Sequence, residues 1–164
     1  MGDHPTRGRD AMAKALDVAN FLVRLAAAED EPDYLTHLRL QKLLYYAQGW
    51  SLALRDMPMF SERIEAWVHG PVVPDVYRSL AGSGSDVILA DRFPEPPDLT
   101  DEEADFIESV WTAYKDFSAV RLRAMTHAEA PWKAARGNRP SEAACQNEIT
   151  HEAMKAFFTQ ASES

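Results

Sequence analysis

In this 164-residue chain the side chains best suited to chemistry gather around His127-Ala128-Glu129. Zinc deaminases use a histidine one residue away from a glutamate, the first to bind metal and the second to move a proton. They also need a distal pair of cysteines spaced P-C-x-x-C. Here a single cysteine, Cys145, is followed by Gln146-Asn147-Glu148, and no HExxH run occurs. Cys145 with His127 or His151 is formally a nucleophile and a base, but a lone cysteine in a polar loop is ordinarily a plain thiol. Gly82-Ser83-Gly84 lacks the spacing and the lysine of a phosphate loop. The expectation is therefore no catalytic residue, no metal and no cofactor, with Thr126, His127 and Glu129 fixing a turn before Pro131-Trp132 by local hydrogen bonds.

Binding chemistry is better represented. Tyr46 and Trp50 stand four residues apart and share a helix face, either as core or as an exposed pair rich in hot-spot area. Trp67, His69, Tyr77 and Arg78 flank Gly70-Pro71-Val72-Val73-Pro74, in which glycine permits a turn and two prolines stiffen its flanks. Arg121, Arg123, Lys133, Arg136 and Arg139 form a local basic concentration against one acid, Glu129. The candidate contacts for a partner protein are Tyr46, Trp50, Trp67, His69, Tyr77, Arg78, Arg121 and Arg123. With 26 acidic and 17 basic residues the net charge is −9, which opposes nucleic acid unless the bases cluster on one face. Nucleic acid is not the expected partner, and a DNA-binding autorepressor stays as the alternative.

The elements that must position these groups are mainly helical. A stripe from Ala15 to Ala26 predicts a helix over about 11–28 with Asp10 as its cap. Thr36 is placed to cap a helix over 37–55, with Leu40, Leu43, Leu44, Ala47 and Leu54 on one stripe. Tyr45, Tyr46, Trp50 and Leu52 cover its other faces, so it should be the buried central helix. On that reading the leucines are core, while Gln41 and Lys42 lie on the wetter side.

Residues 64–69 alternate as a short strand that Gly70-Pro71 should stop, Pro74 suits a first helical position, and Val87-Ile88-Leu89 is a second strand or an apolar loop. Phe93-Pro94-Glu95-Pro96-Pro97-Asp98 reads as a surface crossing. Thr100 and Glu103 make a capping box. Short helices should follow Ser118 and Pro131, and Thr150 should cap the last. The expected fold is mainly α: a single compact domain of about six helices with a small two-stranded β element over 11–160, flanked by flexible tails at 1–10 and 161–164. With no secretory core in Met1–Asp10 and no run of about 20 apolar residues, a cytoplasmic protein without membrane contact is expected.

The run Thr36-His37-Leu38-Arg39-Leu40-Gln41-Lys42-Leu43-Leu44-Tyr45-Tyr46-Ala47-Gln48-Gly49-Trp50 resembles the signature helix of the SocA-like (Panacea-domain) antitoxins. The likeness continues through Met59-Phe60, Glu65-Ala66-Trp67, Gly70-Pro71-Val72-Val73-Pro74 and Tyr77. It resumes at Leu122, Thr126-His127, Glu129 and Pro131-Trp132. Arg39 stands where lysine is as frequent. The resemblance implies a compact helical antitoxin that binds a cognate toxin, in one mode as an adaptor delivering it to the ClpXP protease. In that mode 1–10 and 159–164 are the candidate protease contacts. It brings no catalytic residues. Leu40, Gln41, Lys42, Leu43, Tyr45, Gly70, Pro71, His127, Glu129 and Trp132 are then scaffold.

Overall fold

A computed structural model describes residues 12–81 and 87–164. In chain order it contains α1 (Ala15–Ala27), β1 (Leu35–Thr36), α2 (His37–Leu54), β2 (Ile64–Trp67), β3 (Gly70–Val72), α3 (Pro74–Ser79) and β4 (Val87–Ile88). A 3-10 turn at Ala90–Arg92 leads to α4 (Asp101–Tyr114), α5 (Ala119–Ala128), α6 (Ala130–Arg136), β5 (Glu148–Ile149) and α7 (His151–Ser162). The mainly α expectation holds, with seven α-helices among the described residues and a β part larger than two strands. Strands of two or three residues show no alternation for a sequence pattern to reveal.

The central helix is α2. The Thr36 hydroxyl accepts from Arg39 N–H at 3.2 Å, and every residue from Arg39 to Gly49 is buried. Packed around it are α1, α4, α5, α7, β1 and β3. A helix enclosed on all sides must bury polar residues too, so Gln41 (0% exposed) and Lys42 (1%) are interior, not on a wetter side. Leu54 departs in the opposite sense: the stripe predicts it inside, but at the open end of the helix it is 60% exposed.

Thr100 and Glu103 form the predicted capping box on α4, and Ser118 and Thr150 cap α5 and α7. The start of α1 differs. It begins at Ala15, and no side chain of its own N-cap residue, Lys14, caps it. Instead the Ala15 N–H donates to the Glu62 carboxylate at 3.0 Å, a cap supplied from a distant loop. Asp10, the predicted cap, lies outside the described residues, as do the 1–10 segment and Gly82-Ser83-Gly84-Ser85.

Two small antiparallel sheets complete the fold. β1 pairs with β4, Leu35 opposite Ile88. β2 is the middle strand of the order β3-β2-β5. Gly70-Pro71 does not stop the strand pattern; it opens β3, with Trp67 opposite Gly70 across the reversal. The proline-rich crossing is strapped to α1, where the Asn20 amide donates to the Glu95 carbonyl at 2.9 Å and Asp17 accepts from Asp98 N–H at 3.2 Å.

Candidate functional site

The signature residues of α2 grip the rest of the molecule through its buried polar groups. The Gln41 side-chain oxygen accepts from Val73 N–H at 2.8 Å and so fixes the link between β3 and α3. Gln48 accepts from Met59 and Phe60 N–H and donates to the Phe60 carbonyl. The Tyr45 and Tyr46 hydroxyls donate to the two carboxylate oxygens of Glu129, each at 2.9 Å. Glu129 is the hinge residue between α5 and α6. One carboxylate thereby ties the middle of α2 to a corner more than 80 residues away.

Burial pushes the Glu129 carboxyl above its ordinary value of 4.5, partly opposed by the Tyr46 and Tyr45 hydrogen bonds. Between 4.5 and that raised value the folded protein binds more protons here than the unfolded chain. This contribution to stability is therefore full below 4.5 and declines as pH rises through the window. Glu129→Gln should flatten that decline in urea titrations collected across acid pH. An unchanged slope would show that the carboxyl does not titrate with folding.

The hairpin of β2 and β3 is anchored from behind. Three successive carbonyls at the end of β2 are each held by a side chain from α5 or α6. Arg136 donates to Ala66 at 2.9 Å, the Trp132 indole to Trp67 at 2.9 Å, and His127 Nε2 lies 2.8 Å from the Val68 carbonyl. His127 Nδ1 meets the Arg123 carbonyl at 2.7 Å, so both ring nitrogens face backbone oxygens. Its ring also packs on Trp132 at 4.0 Å. Nothing in this arrangement offers His127 as a base or ligand. Among the described residues no three His, Cys, Asp or Glu side chains converge to hold a metal ion.

Gly70 has φ +118°, a conformation that side chains rarely adopt, and a Cβ there would sit 3.1 Å from Lys42 Cε and from Thr126 Oγ1. Lys42 thus fills the floor beneath the turn. Its ammonium donates to the Leu38 carbonyl at 3.2 Å, and no carboxylate pairs with it among the described residues. Burial, with a smaller push from the Arg123 charge, brings its pKa down from 10.5 to about 8. From about 8 up to 10.5 the unfolded chain keeps a proton that the folded protein has released, so stability rises with pH across that window. Lys42→Met should be the more stable protein below pH 8, by roughly 3 kcal/mol, and the advantage should vanish by pH 10.5. Parallel urea titrations at neutral and alkaline pH check this.

The anchored hairpin, α3 and the start of α2 together present an aromatic surface. Trp67 is half-buried, its indole donating to Glu65 at 2.8 Å. Its ring meets Tyr77 edge-on at 5.2 Å, and Tyr77 meets His37 at 5.8 Å. Tyr77 and Leu38 are 37% and 39% exposed. His69 lies exposed at the turn and Arg78 is exposed beside Asp75, with which it pairs at 3.2 Å. The structure thus gathers Trp67 and Tyr77, with His69 and Arg78 on neighbouring turns.

It separates the remaining candidates. Tyr46, 1% exposed, is core, stacked on Tyr114 at 4.3 Å, so it offers no docking face. Trp50 lies at the other end of α2, its indole donating to the Tyr114 hydroxyl at 2.8 Å. Arg121 covers the Phe117 ring at 4.0 Å. Arg136, read from sequence as part of a basic patch, is 3% exposed, its two terminal nitrogens donating to carbonyls and its plane lying over the Trp132 ring, while its Nε is buried without a hydrogen-bond partner. Its role had one legible signal, the position one turn after Trp132.

The family described as antitoxin SocA-like, Panacea domain, matches residues 40–133. The chain belongs to this family. The match to this SocA-like domain runs from within α2 through the hairpin, α3, α4 and α5 into α6. The Antitoxin SocA of Caulobacter vibrioides (strain NA1000 / CB15N) is 35% identical over 126 residues, covering 70% of this chain and 66% of that protein. The chain thus spans about two thirds of the length of the curated relative it matches. No solved structure matches.

Proposed function

We propose that this SocA-like protein is a non-enzymatic antitoxin of the cytoplasm. It binds a cognate toxin through the surface of Trp67, His69, Tyr77 and Arg78 and neutralises it by covering it. Family membership carries the antitoxin reading. The observation that favours this surface is the three-carbonyl anchorage behind it: a hairpin held by His127, Trp132 and Arg136 presents Trp67, against which Tyr77 of α3 packs, with little entropy left to lose on binding. Tryptophan, tyrosine and arginine are the residues in which binding energy concentrates.

The autorepressor reading weakens in the same geometry, because Arg136 leaves the basic surface. Delivery of the bound toxin to the ClpXP protease is a further step that the same docking would allow. The segments 1–10 and 159–164 remain its candidate contacts, and unchanged toxin degradation after both are deleted would reject that role for them.

The test is binding to the product of the adjacent reading frame. Wild-type protein should co-purify with it, and Tyr77→Ala should weaken the affinity by about 30-fold or more with an unchanged melting curve. Wild-type affinity in Tyr77→Ala and His69→Ala would move the interface elsewhere; absence of any complex would reject the pairing.

A further inference from the structure

A second surface lies at the opposite end of α2. Trp50, Leu54, Phe106, Val110, Ala113 and Tyr114 line a groove of about 270 Å³ between α2 and α4. That is at or below the small end of cofactor and drug pockets, about 300–1,000 Å³, but it admits the apolar side chains of a docking segment. The polar atoms of its aromatic wall are already used, since the Trp50 indole donates to the Tyr114 hydroxyl. What remains to face a ligand is apolar, and Leu54 on its lip is 60% exposed.

The exposed flank of α4 beside this groove is acidic. α4 carries Asp101, Glu102, Glu103, Asp105 and Glu108 and no lysine or arginine. Arg55, the base at the mouth, lies over the Phe106 ring at 5.5 Å and reaches Glu102 at 3.5 Å. Its charge is thereby offset. Asp105, one position before Phe106 and one turn before Ser109 of the groove lining, is exposed and meets no basic partner among the described residues, whereas Asp101 and Glu108 fall on the far side of the helix.

We infer that this groove docks a basic amphipathic helix of a partner protein, which seats apolar side chains against Trp50 and Leu54 and lays lysine or arginine along the Glu102 and Asp105 flank of α4. Such a helix offers anchors at i, i+3, i+4 and i+7, the spacing that helix-in-groove recognition uses. The inference goes beyond the toxin-docking reading and does not depend on it. Leu38 and Leu54 are sixteen residues apart on α2, about 24 Å along its axis, so groove and aromatic hairpin can be occupied together.

The probe is a helical peptide of about five turns with leucine at alternate third and fourth positions and lysine elsewhere. A control has the same leucines with glutamate for lysine. Titration of the full chain, followed by NMR at the Trp50 indole N–H, should show a saturable shift with the lysine peptide and none with the glutamate peptide. Leu54 and Ser109 both line the groove and are exposed, so Leu54→Lys and Ser109→Lys should leave the melting curve in place while weakening the lysine peptide about tenfold or more. Binding that leaves the Trp50 signal unmoved, that survives both substitutions, or that is equal for the two peptides would overturn the inference. So would a dimer in sedimentation that Leu54→Lys dissociates, since the occupant would then be a second copy.

Discussion

Gly49→Ala should destabilise the protein by about 3 kcal/mol even though alanine is the better helix former by about 1 kcal/mol. A Cβ at Gly49 would lie 2.1 Å from Phe158 Cε2, 2.3 Å from Cδ2 and 2.8 Å from Cζ, well inside any possible contact. The Phe158 ring has nowhere to go. It is 1% exposed and ringed by Tyr45, Tyr46, Trp50 and Phe157 at centroid distances of 5.6, 5.9, 5.0 and 5.0 Å. Relief requires α7 to lift from α2, which opens the most extensive helix–helix contact among the described residues. In urea the midpoint should fall with little change in slope, the sign of lost stability rather than a changed denatured state. Phe158→Leu in the Gly49→Ala background should recover much of the loss, and the double-mutant cycle should give a coupling above about 1 kcal/mol. Additive effects would mean that the two residues do not meet.

Arg136→Met is expected to be as severe for a different reason, costing about 3 kcal/mol through several lost hydrogen bonds from one charged donor. The guanidinium donates to the carbonyls of Ala66 and Pro140 at 2.9 Å each, to Ser141 at 3.3 Å and to Ala143. It lies over the Trp132 ring at 4.8 Å. One side chain thus closes the loop that follows α6 and anchors the middle of β2. Methionine fills the volume but leaves those oxygens without their donor, and each unmade bond to a charged donor costs more than a neutral one. Lysine should rescue little, because a point charge cannot reproduce the planar fork. Hydrogen exchange should locate the damage: the Ala66 amide, which donates to the Asn147 carbonyl at 2.9 Å, should lose protection together with β5. Toxin affinity should fall as well, since Arg136 is one of the three groups behind the hairpin.

Helices that begin with their own cap were legible from sequence, as at Thr36, Thr100, Ser118 and Thr150. The start of α1 was not, because its first amide is bonded to Glu62, forty-seven residues away. Binary patterning failed at both extremes of α2. Gln41 and Lys42 are polar but interior, enclosed on every side, whereas Leu54 is apolar but open where no helix covers it. Arg136 illustrates the same limit, since an arginine in a run of bases looks solvated until the carbonyls that enclose it come from four other positions. Of the candidate site, Trp67 and Tyr77 were legible as a pair flanking a stiff turn. That the turn is bolted from behind by the His127–Trp132 block required the fold.

The central claim, neutralisation by contact through the hairpin surface, is tested most directly in cells that express the product of the adjacent reading frame under separate control. Induction alone should abolish colony formation. Wild-type protein should restore it, and Tyr77→Ala expressed to the same level should not. Colony counts that stay low with the wild type, or that Tyr77→Ala restores in full, would contradict the account.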